Sequence, residues 1–83
     1  MRVHEIKCRE PYFREVRCGR KTFEVRKNDR GYQDGDVLIL RAWDVDAGFL
    51  PADPVVCRVT YMLNGGQFGI EQGNCILGIK VLA

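Results

Sequence analysis

Val37-Leu38-Ile39-Leu40 is the stretch that leaves this chain the fewest ways to fold. Four apolar residues in a row give a strand no polar side to turn to water. It must be covered on both faces and lie inside a sheet rather than at its edge. Residues 2–8 alternate, with His4, Ile6 and Cys8 on one face and Glu5 and Lys7 on the other. The stretches at about 20–27 and 55–63 alternate in the same way, and 74–82 carries Cys75, Ile76, Leu77, Ile79 and Val81. A helix is expected at about 10–18, where Phe13 and Val16, with Tyr12 beside them, form an apolar stripe, Pro11 suits the first turn, and Gly19 is a left-handed stop. Residues 67–73 read as a short connector with room for one helical turn.

The order β-α-β-β-β-β supplies no crossover helices after the second strand, which excludes a doubly wound parallel sheet. Eighty-three residues allow one domain with one small core. The expected fold is therefore mainly β (α+β). It is a five-stranded, mostly antiparallel small barrel spanning 1–83, with the helix over one opening. Phe13, Val16, Phe23, Val25, Leu38, Leu40, Val59, Ile76 and Ile79 are its expected core. Asn28-Asp29-Arg30-Gly31 and Asp34-Gly35 are turn chemistry, and Asp44 to Pro54 reads as a loop.

Charge is unevenly placed. Residues 1–30 hold ten Lys/Arg against five Asp/Glu, whereas 31–83 hold three against six. Positive potential therefore gathers on the first helix and second strand, a footprint that attracts phosphates. Cys8, Cys18, Cys57 and Cys75 lack C-x-x-C spacing, so zinc and dithiol redox sites are not expected. His4 has no second ligand type beside it and reads as a packed strand residue. The start, Met1-Arg2-Val3-His4-Glu5, has no apolar signal region, and no run reaches the ~20 apolar residues of a membrane span. Reduced thiols, a cytoplasmic location, and neither metal nor cofactor are expected.

Candidate chemistry concentrates after the helix. Thr22, Glu24 and Arg26 alternate with Phe23 and Val25, flanked by Arg20, Lys21 and Lys27. Glu24 and Arg26, two apart, share a strand face at roughly 6.5 Å. Lys21 joins them only if the Gly19-Arg20 corner turns it. Arg20, Lys21, Thr22, Glu24, Arg26 and Lys27 are the candidate ligand-binding residues. Tyr12, Tyr32 and Trp43 are aromatic candidates for stacking.

The string Gly19-Arg20-Lys21-Thr22-Phe23-Glu24-Val25-Arg26, read as G-x-K-x-x-E-x-R, resembles the signature of the ASCH (activating signal cointegrator homology) domain of the PUA-like superfamily. His4-Glu5-Ile6-Lys7, Gly35-Asp36-Val37-Leu38 and Phe68-Gly69-Ile70 extend the resemblance over nearly the whole chain, toward a short phage- and Firmicute-associated branch. It implies a PUA-like barrel that binds RNA in a cleft between helix and barrel. It also implies an alternative, since some relatives hydrolyse acetylcytidine with a Lys, a Thr three positions later and a downstream Glu. Lys21 fits the first role. Glu24 stands where that Thr would lie, Thr22 sits beside the lysine, and Glu71 is the only acidic residue after Asp53. Two readings follow: an RNA or nucleotide-binding module, or a small amidohydrolase on an acylated nucleoside with Lys21 and Glu24 or Glu71 as its catalytic groups.

Overall fold

The structure is a computed structural model describing residues 1–83. Its elements are β1 (Val3–Arg9), α1 (Tyr12–Arg17), β2 (Phe23–Lys27), β3 (Val37–Asp44), β4 (Gly48–Phe49), β5 (Val55–Asn64) and β6 (Asn74–Val81). The sheet order is β1-β3-β5-β6-β2, with β4 off β3. Strand β3, which opens with the apolar run Val37–Leu40, is central in the sheet, with Leu38 and Leu40 wholly buried on its inner face. Val37 and Ile39 on the other face are only partly buried, so the run is covered on one face and not on both as expected.

The sheet is mixed, which corrects the expected mostly antiparallel arrangement. β1 runs parallel to β3, from Val3 opposite Val37 to Arg9 opposite Trp43, whereas β3–β5, β5–β6 and β2–β6 are antiparallel. The cause is the connection: a parallel pair needs a long crossover, and α1 and β2 provide it by carrying the chain to the far edge and back. The curled sheet is a half-barrel. β1 and β2 are its two edges, and no backbone ladder joins them.

Two local features were not apparent from spacing. Within the expected loop, β4 pairs Phe49 with Trp43 and Gly48 with Asp44, and the Asp44 carboxylate accepts the N–H groups of Asp46 and Ala47. In β5 the register shifts between Val59 and Tyr61, so Tyr61 turns outward while Met62 packs on the core.

The phase of β2 is the larger departure. Phe23 and Val25, expected inside, are 45% and 56% exposed, whereas Glu24 is only 4% exposed. Glu24 lies opposite Leu77 and Arg26 opposite Cys75, both fully buried, so the two polar side chains stand on the core face. Alternation divides a strand into two faces without saying which one points inward. Ile76, opposite Val25, shares the outer face and is only half-buried. Phe13, Val16, Leu38, Leu40, Val59 and Ile79 are buried as expected.

α1 packs Phe13 and Val16 onto β1 and β3. The Glu10 carboxylate accepts the Arg14 N–H at 3.0 Å, satisfying one of the free donors of the first turn. At the far end of β1, His4 is buried and its Nε2 lies 2.8 Å from Asp36 Oδ2. Asp36 also accepts the backbone N–H groups of Arg2 and Gln33. Burial alone would raise the Asp36 carboxyl; the hydrogen bonds from His4, Arg2 and Gln33 outweigh it and hold the group below its ordinary value. No helix is long and apolar enough to cross a membrane.

Candidate functional site

The corner that delivers Lys21 is a Schellman turn. Gly19 adopts φ +84°, its N–H donates to Val16 O at 3.0 Å, and the Arg20 N–H donates to Glu15 O at 3.0 Å. The Lys21 N–H takes the same Glu15 carbonyl at 3.0 Å, so the chain folds back under the helix before β2 begins. That turn swings Lys21 to the inner side of β2. Its Nζ lies 2.8 Å from Glu24 Oε1 and 2.7 Å from Phe23 O.

Glu24 anchors the cluster. Its side chain is 5% exposed, against 19% for Lys21 and 22% for Arg26. Oε1 receives Lys21 and, at 3.8 Å, the Cys8 thiol of β1, while Oε2 faces Arg26 Nε at 3.7 Å. Arg26 Nη2 donates to Lys7 O at 2.7 Å, spanning the gap between the two edge strands. Its Nε is buried beside the Glu24 carboxylate without making a hydrogen bond.

These three side chains line a cleft of about 380 Å³ along the seam between β1 and β2. Cys8, Arg9, Tyr12, Phe23 and Val25 complete its wall. The Lys21 ammonium sits 4.8 Å from the Phe23 ring centre and 5.7 Å from that of Tyr12, within cation–π range of both. Lysine carries three donors, and two are engaged, which leaves one N–H for a ligand.

Of the expected ligand-binding residues, the fold brings together Lys21, Glu24 and Arg26. Arg20 stays at the exposed rim, 3.3 Å from Glu15. Lys27 lies in a neighbouring cleft. Thr22 is exposed and outside the cleft, its carbonyl taken by the Ile79 N–H in the β2–β6 pairing. Glu71 is exposed in the connection between β5 and β6, outside the cleft as well. Tyr12, half exposed, is the aromatic that reaches the site; Tyr32 is buried, and Trp43 lies under Lys7 Nζ at 4.2 Å. Cys8 and Arg9 had no spacing signal, because they arrive from β1 through tertiary packing.

All four cysteines are free thiols, and no group of three metal-ligating side chains forms. Burial, with Glu24 adding to it, pushes the Cys8 thiol up to about 12 despite Lys21 and Arg26 nearby. Cys57 rises to about 11 for the same leading reason, and burial raises Cys75 as well. Cys18 alone is exposed. Alkylation of the native protein is therefore expected to modify Cys18 rapidly and spare the other three, as read by peptide mass. Rapid labelling of Cys8 would contradict its place between Glu24 and the core.

The sequence is 48% identical over 42 residues to the "Uncharacterized 12.9 kDa protein in GpA 3'region" of Escherichia phage P2, a match covering 51% of this chain and 38% of that protein. The family described as "Domain of unknown function (DUF3850)" matches residues 3–79, from the first residue of β1 into β6. The half-barrel and its seam fall inside that span, and the chain belongs to the DUF3850 family.

Proposed function

We propose that the protein is an RNA- or nucleotide-binding module of the ASCH, PUA-like kind, working in the cytoplasm, with its ligand held in the seam between β1 and β2. One observation carries this reading: Lys21, Glu24 and Arg26 stand on the core-facing side of β2 beneath an open cleft. Charged side chains are rarely buried unless paired, and an apolar pair at these positions would satisfy the fold more simply. The free N–H of Lys21 and the Arg26 guanidinium offer donors to a base carbonyl, ribose or phosphate, and Glu24 offers acceptors to an exocyclic amine. Tyr12 and Phe23 present ring faces for stacking.

Binding is preferred over hydrolysis for three reasons. Thr22 lies outside the cleft, Glu71 does too, and the Cys8 thiol in the wall is held protonated. Fluorescence anisotropy with short single-stranded RNA tests the reading. Affinity is expected to fall with salt at a slope near −0.7 per phosphate contacted. Arg26→Ala is expected to weaken binding by about 1–3 kcal/mol while leaving the chain folded. Salt-independent binding, or a folded Arg26→Ala protein that binds normally, contradicts it. Release of cytidine from acetylcytidine by the wild type would replace binding with catalysis.

A further inference from the structure

Arg26 also lines a second cleft, of about 190 Å³, farther along the seam. Ile6, Lys7, Lys27, Asp29, Arg30 and Tyr32 line it with Arg26, four basic residues to one acidic, and the Lys7 ammonium itself lies over the Trp43 ring. No acidic side chain pairs with Lys7, Lys27 or Arg30, although Arg14, Arg20, Lys21 and Arg41 all have carboxylate partners. The segment carrying these cations is held in place. The Asn28 N–H donates to Gly73 O at 2.8 Å, the Asn28 side chain accepts the Tyr32 N–H, and Arg30 O accepts Arg2 Nη1 at 3.1 Å. Burial raises the Tyr32 hydroxyl, partly offset by the positive charges of Arg26 and Arg30. Arg26, whose buried Nε makes no hydrogen bond, is the one residue common to both clefts.

We propose that this second cleft is a phosphate subsite, and that the ligand straddles Arg26 with its nucleoside in the first cleft and a phosphate ester between Lys27 and Arg30. The proposal rests on the nucleotide-binding reading for the first cleft and adds the minimum ligand: a nucleoside monophosphate unit, free or within an RNA strand. Unpaired cations ringing an anchored cleft match a diffuse dianion, and a guanidinium shared by both clefts couples base and phosphate recognition.

Calorimetric titration separates the parts, using ribonucleosides, their 5′- and 3′-monophosphates, and inorganic phosphate as probes. At least one monophosphate is expected to bind at least about tenfold more tightly than its nucleoside. In Lys27→Gln/Arg30→Gln the same ratio is expected to drop to about twofold or less. Equal affinity for nucleoside and monophosphate overturns the phosphate subsite while leaving the first cleft a nucleoside site. A ratio that persists in the double variant also overturns it. Inorganic phosphate binding as tightly as every monophosphate shows an isolated anion site and overturns the straddling ligand. Failure of every nucleoside and nucleotide to bind removes the reading of the first cleft together with the proposal.

Discussion

Asp36→Ala is expected to lower the unfolding free energy by about 3–5 kcal/mol, the range for removing one partner of a buried pair. The carboxylate is 3% exposed and accepts three hydrogen bonds, from the His4 ring and from the Arg2 and Gln33 backbones. Alanine would leave those donors facing one another without an acceptor, at the point where β1 and β3 begin to pair. Asp36→Asn keeps an acceptor oxygen and is expected to lose less. The pH dependence supplies an independent check. The folded Asp36 carboxyl sits below its ordinary 3.8, so its contribution is present above 3.8 and is lost as pH falls from there through the folded value. Urea unfolding at pH 7 and at pH 3 should therefore show an acid loss in wild type that is smaller in Asp36→Asn. Equal acid losses in the two proteins would remove Asp36 as its source.

The second large effect falls on Glu24. Glu24→Ala leaves Lys21 and Arg26 side by side on the inner face of β2 with no counter-charge. About 3 kcal/mol of stability should be lost, the lower end for breaking a buried pair, because both cations keep some contact with water. Glu24→Gln keeps the shape and one acceptor, so it should fold with a smaller loss. Denaturant midpoints decide between this picture and a surface ion pair, for which both changes would cost less than about 1 kcal/mol.

Glu24 also shows how far the sequence could be read. G-x-K-x-x-E-x-R picked out Lys21, Glu24 and Arg26, and these are the residues the fold gathers. The position of β3 was readable as well, since four consecutive apolar residues admit only a central strand. What could not be read was orientation. On β2 the ordinary preference for apolar residues inside is reversed, because the paired charges of Glu24, Lys21 and Arg26 occupy the inner face. The parallel partner of β3 was hidden for a different reason. Pairing between residues 34 apart depends on where the whole crossover lies, and no local pattern encodes it. Cys8, Lys7 and Arg30 reach the seam by the same non-local route.

That seam is best tested by amide NMR of the wild-type protein titrated with short single-stranded RNA. Shifts that saturate and cluster at Tyr12, Lys21, Phe23, Glu24 and Arg26 are the predicted result, with weakened binding in Lys21→Ala. Absence of shifts, or shifts confined to the outer face around Tyr61 and Ile76 with the seam unchanged, would contradict a nucleotide-binding role for the cleft between β1 and β2.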